Sequence, residues 1–61
     1  MSNVSIKKNN VIKKSAKLFY YKGYKNTGLS DILTACNIPK GSFYYYFKKG
    51  KEELLLEVIR Y

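Results

Sequence analysis

Three interruptions divide these 61 residues into four segments, and each is of a kind that stops or starts a helix. Gly23 ends a lysine-rich stretch whose apolar residues recur at helical spacing, and glycine just past a helix enters the left-handed region cheaply. Asn37-Ile38-Pro39 is the second break. Asn37 is a non-glycine residue that tolerates left-handed dihedrals, and Pro39 fits a first helical position, where its missing N–H is no loss. Lys48-Lys49-Gly50 is the third break. No segment between breaks is long enough to bury a face alone, so the segments must pack on one another.

The patterns within the segments say which faces pack. Residues 1–6 are polar and read as a flexible arm, with Asn3 or Ser5 able to cap the first helix. That helix is expected from about Lys7, because Ile12, Ala16 and Phe19 fall at i, i+4 and i+7 with Val11 and Leu18 beside them. Lysines 7, 8, 13, 14, 17 and 22 fill much of the remainder and read mainly as a solvated face. Tyr24 stands where an apolar side chain folds back on the last turn. Thr27-Gly28 opens a second helix of about 28–36; with Gly28 as cap, Asp31 lies at the third position, which suits a carboxylate. Leu29, Ile32, Leu33 and Cys36 are its inward face.

A third helix of about 39–47 carries Gly41-Ser42-Phe43-Tyr44-Tyr45-Tyr46-Phe47. At about 100° per residue, Phe43 and Phe47 lie within about 40° of each other, Gly41 and Tyr45 point nearly opposite, and Tyr44 and Tyr46 fall on the borders. A fourth helix starts near Lys51 with Glu52 and Glu53 in its first turn, favourable against the helix dipole. Leu54, Leu55, Val58 and Ile59 continue it to Tyr61 without a stop signal, the pattern of a helix cut at 61. The expected fold is all-α: a three-helix bundle with a helix-turn-helix, homeodomain-like in plan, plus the truncated start of a fourth helix. Phe19, Ile32, Ile38, Phe43, Phe47 and Leu54 are its expected core.

Charge narrows the partners. Twelve basic and four acidic residues give +8, and residues 1–30 hold seven lysines and no acid. Such a field attracts polyanions, chiefly nucleic acid or an anionic membrane. One cysteine excludes an internal disulfide, and without histidine a zinc site is not expected. No acid–base pair, activated nucleophile, metal cluster or phosphate loop is present, so neither enzymatic activity nor a cofactor is expected. No apolar run approaches a signal-peptide core or a membrane span, which points to the cytoplasm.

The order of features resembles the N-terminal DNA-binding domain of the tetracycline-repressor (TetR) family of bacterial transcription regulators. Five fragments carry it: Ala16-x-Leu18-Phe19; Gly23-Tyr24-x-x-Thr27; Asp31-Ile32; Ile38-Pro39-Lys40-Gly41-Ser42-Phe43-Tyr44-Tyr45-Tyr46-Phe47; and Lys51-Glu52-Glu53-Leu54. The resemblance runs from about Val11 to Ile59. It implies that helices 2 and 3 read DNA and that helix 4 leads to a larger regulatory domain, absent here. It further implies a repressor that binds a palindromic operator as a homodimer and is released by a small-molecule inducer in that absent domain. Three departures stand out: Asn37 replaces a usual glycine, Pro39 a usual serine or threonine, and the loop before Lys51 is one residue longer than is common, so that Lys49 could take the role of Lys51.

The chemistry required is phosphate neutralisation plus base-edge readout. Lys40, in the first turn of the reading helix, could donate to guanine or to a phosphate. Gly41 lets the backbone approach the duplex, and Ser42 could hydrogen-bond a base or phosphate. Tyr44 and Tyr46 are expected to reach phosphates from the helix borders, and Tyr45 to meet a thymine methyl or a sugar. The N–H groups of Thr27, Gly28 and Leu29 form a phosphate seat at a helix start, and Lys49 and Lys51 offer another. Pro39 completes the expected contact set. The competing readings are a basic amphipathic peptide on a membrane surface and a protein-interaction module using the apolar edge of helix 4.

Overall fold

The computed structural model describes residues 3–60, which form four helices: α1 (Asn3–Lys22), α2 (Leu29–Cys36), α3 (Lys40–Tyr46) and α4 (Lys51–Arg60). Among the described residues there is no strand. α1 packs against both α2 and α4. Val11 and Ile12 of α1, Ile32 of α2, Phe43 and Phe47 of the third segment, and Leu54 of α4 form one buried cluster. Phe43 and Phe47 are wholly buried, with ring centroids 5.4 Å apart. Phe19 and Ile38, expected in the core, lie partly buried at its rim with Leu18, Leu29, Leu33 and Val58.

The helix ends follow from local chemistry. Gly28 is the N-cap of α2, and its N–H donates to Asp31 Oδ2 at 2.9 Å. Asn37 ends α2 in the left-handed region at φ 54° and ψ 49°. The N–H of Ile38 then folds back to the Leu33 carbonyl at 3.2 Å, satisfying a carbonyl the helix end would orphan. Gly50 has φ 78° before α4, and the Lys49 N–H donates to Glu53 Oε1 at 3.1 Å.

Two sequence expectations are corrected. Pro39 is the N-cap of α3 rather than its first residue: its ψ of 159° is extended, and its carbonyl accepts the Phe43 N–H at 3.2 Å. Helix α1 begins at Asn3 rather than near Lys7, so residues 3–6 belong to the helix instead of forming an arm, and Asn3 and Ser5 lie within its span. No glycine or proline interrupts that run. Residues 1 and 2 of the expected arm lie outside the described residues.

Lys8 ties α1 to the base of α4. Its ammonium lies 3.7 Å from Glu57 and 5.4 Å from the centre of the Phe47 ring. Among the described residues, Ser15 has a buried hydroxyl without a hydrogen-bond partner.

At about 0.05–0.15 kcal/mol per residue, a chain this short holds about 3–9 kcal/mol of stability. Emptying either ring site removes about 3–5 kcal/mol. Phe43→Ala and Phe47→Ala are therefore expected to melt far below the parent, or to be unfolded at room temperature, by circular dichroism, and a cooperative melt near the parent's would contradict the assigned core.

Candidate nucleic-acid interface

The surface available to a ligand is built from the side of α3 that its two phenylalanines leave outside. Lys40, Gly41, Tyr44 and Tyr45 fall at i, i+1, i+4 and i+5 and are all exposed. A Cβ added at Gly41 would meet no atom within 4 Å, so the helix presents bare backbone there. Tyr45 is the most exposed of the three tyrosines of α3, at 66%. Tyr44 is held more firmly: its ring meets Phe43 edge-on at 5.5 Å, and an added Cβ at Gly50 would come within 3.3 Å of its Cε1. Gly50 thus gives the Tyr44 ring a flat support. Tyr46 turns the other way, partly buried against the core and edge-on to Tyr45 at 5.7 Å. Ser42 is half-buried on that same side, while Pro39, Lys48 and Lys49 are exposed.

The start of α2 differs from the expected phosphate seat. Thr27 is fully buried, its hydroxyl donating to the Gly23 carbonyl at 2.8 Å and its N–H to the Tyr24 carbonyl at 3.2 Å. It closes the turn between α1 and α2 and has no donor left for DNA. The Gly28 N–H is committed to Asp31, whose carboxylate also lies 3.0 Å from Lys22 Nζ. The Gly28 bond first, then Lys22, hold the Asp31 carboxyl below its ordinary value of 3.8. What remains of the seat is the N–H groups of Leu29 and Ser30, which as first-turn donors have no acceptor within the helix. Exposed Ser30 adds a hydroxyl that the sequence pattern does not single out.

Lys51 is also reassigned. Its ammonium donates to the Tyr24 carbonyl at 2.6 Å and stands 4.1 Å above the Tyr24 ring, which itself meets Phe19 edge-on at 5.3 Å. Lys51 therefore clamps the start of α4 to the α1–α2 turn, a partnership 27 residues apart in the chain. Lys48 and Lys49 stay exposed in this loop.

Two short helices joined at a left-handed asparagine, the second outward-facing, basic and aromatic, are the parts of a helix-turn-helix. The family of bacterial regulatory proteins named for tetR matches residues 11–58. The chain belongs to the TetR family. It is 41% identical over 51 residues to the uncharacterized HTH-type transcriptional regulator YxaF of Bacillus subtilis, covering 84% of this chain and 27% of that protein. LmrA, an HTH-type transcriptional regulator of the same organism, is 41% identical over 49 residues, covering 80% and 26%. YerO, a third and uncharacterized regulator from it, is 46% identical over 55 residues, covering 90% and 19%. The chain thus spans about a quarter of the length of the first two relatives and less of the third. No solved structure matches it. As a TetR-family helix-turn-helix, the chain belongs among DNA-binding transcription regulators. Among the described residues, no helix is long and apolar enough to cross a membrane.

Two measurements check the reassignments. Lys51→Ala is expected to lower the stability of the free protein by about 1–3 kcal/mol, since a charged hydrogen bond and a cation–π contact are lost together. An unchanged urea midpoint would return Lys51 to the solvent. Folding lowers the Asp31 pKa, so its contribution to stability is present above 3.8 and drains as pH falls through that value and below. The stability gap between parent and Asp31→Asn should therefore narrow on acidification from neutral pH; a constant gap would remove the carboxylate's charge from the account.

Proposed function

We propose that this chain reads a DNA operator for a TetR-family transcription regulator, with α3 in the major groove. Lys40, Gly41, Tyr44 and Tyr45 meet the duplex directly. Lys49 and the Leu29 and Ser30 N–H groups position it through phosphates. The observation that carries this reading is the outward face of α3, where bare backbone at Gly41 is framed by a lysine and two tyrosines. No carboxylate lies on that helix, and the chain bears +8 overall. The positive field brings the duplex in, and the open backbone lets the helix sit close to base edges.

The same reading makes the whole regulator a cytoplasmic homodimeric repressor on a palindromic operator, released by a small molecule bound in a further domain. Its work is binding, with no catalytic step. A membrane-surface role fits the geometry less well, because the apolar residues the long helix α1 would need for it, Val11 and Ile12, are buried in the core against α2, α3 and α4. An interaction module on α4 would rest on Leu56 and Ile59, both exposed, and leaves the open face of α3 unexplained.

Selection from random duplexes with the full-length regulator should yield a palindrome. Binding to the selected duplex should show log K falling by about 0.9 per neutralised phosphate against log salt. Lys40→Ala should relax sequence preference, whereas Lys49→Ala should weaken selected and scrambled duplexes alike. Salt-independent binding, or a preference for anionic vesicles, would overturn the reading. Gly41→Ala separates contact from folding: it should raise stability by up to about 1 kcal/mol through helix propensity while weakening the selected duplex. Unchanged affinity would mean that α3 does not approach DNA at Gly41.

A further inference from the structure

Between the first half of α1 and the helix-turn-helix lies a groove of about 360 Å3 that the DNA-reading face leaves unused. Lys7, Asn10 and Lys14 line it from α1, Ser42 and Tyr46 from α3, and Cys36 from the end of α2. The three α1 residues fall at i, i+3 and i+7, which sets Lys7 and Lys14 within about 20° of each other on one helix face. Ser42 and Tyr46, at i and i+4, form the matching face of α3.

The charges in this groove are unbalanced. Lys8 and Lys22 have carboxylates of their own in Glu57 and Asp31. Among the described residues, no carboxylate lies within salt-bridge distance of Lys7 or Lys14, and no acid lines the groove. Two ammonium groups, a side-chain amide and two hydroxyls thus converge on one opening. All can donate hydrogen bonds, and the net charge calls for an anion. The same helix that forms one wall presents Lys40, Tyr44 and Tyr45 outward, so an occupant here lies beside whatever those residues touch.

We infer that Lys7, Asn10 and Lys14, together with the hydroxyls of Ser42 and Tyr46, seat a backbone phosphodiester of the duplex flanking the base pairs that α3 reads. The inference rests on the DNA-binding reading above and adds α1 to the contact surface. It gives Tyr46 a phosphate to hold while its ring stays against the core. It also takes two lysines out of the solvated face, because the tertiary fold sets them opposite α3.

The test compares the 61-residue parent with the Lys7→Ala/Lys14→Ala double variant and with Lys13→Ala, whose side chain lies about 100° round α1 from Lys14. Binding is titrated against salt on a selected duplex and on a scrambled one. The double variant should show a log–log slope shallower by about 0.9 per lost phosphate contact, with equal weakening on both duplexes, while Lys13→Ala keeps the parent slope. Lysine-to-alanine changes on an exposed helix face favour the helix, and a circular dichroism melt checks that the variant folds. A second readout uses Cys36, the single cysteine. Burial raises its thiol pKa, so alkylation is followed at alkaline pH. Saturating duplex should slow the labelling in the parent and less so in the double variant. A parent slope retained by the double variant, or labelling indifferent to duplex, overturns the groove assignment and leaves the reading of α3 standing. Failure of the parent to bind any duplex overturns both.

Discussion

The fold depends on two phenylalanine rings in contact on the inner side of the third segment, Phe43 within α3 and Phe47 at its C-cap. That helix has seven residues, too few to persist in water, and it lacks a side-chain cap. Phe43 and Phe47, both wholly buried, fasten it to Val11 and Ile12 of α1, Ile32 of α2 and Leu54 of α4. Every other residue of α3 is thereby oriented. With the rings inward, Gly41 and Tyr45 can only face out, and Ser42 and Tyr46 can only face α1. The exposed surface proposed to meet DNA is the complement of the surface that holds the helix.

Around that anchor, polar contacts set the angles between segments rather than supply bulk stability. Thr27 closes the α1–α2 turn, Asn37 turns the chain between α2 and α3, and Gly50 turns it into α4. The Lys51 ammonium, on the Tyr24 carbonyl and ring, joins the first of these turns to the last. Three basic side chains, Lys8, Lys22 and Lys51, are thus occupied within the protein. The cations left for a polyanion are those the fold leaves unpartnered. The net charge of +8 does not say which cations can meet a phosphate; the arrangement decides which lysines count.

Much of the architecture was legible because it is written in local chemistry. Gly23, Asn37 and Gly50 mark left-handed positions that few other residues tolerate, and the spacing of Phe43, Phe47, Ile32 and Leu54 marks the inward faces. Pro39 was misplaced by one position, because proline is compatible with both the cap and the first helical residue. The start of α1 was placed late because a polar run without glycine or proline carries no sharp boundary signal. In the candidate site, the outward placement of Lys40, Gly41, Tyr44 and Tyr45 follows from helical periodicity alone. Lys51 and Tyr46 do not, since each is defined by a partner on another segment, and Thr27 is taken up by carbonyls three and four residues back in its own turn.

The sequence by itself determined where the helices lie, which faces they bury, and that the outward side of α3 is basic and aromatic. Those properties arise from dihedral preference and period, which act within a few residues. Only the tertiary structure decided which donors remain free. It withdrew Lys51 onto Tyr24, and it set Lys7 and Lys14 across a groove from Ser42 and Tyr46. Hydrogen bonds and charge pairs depend on distances between segments, and those distances exist only once the two phenylalanines have closed the core.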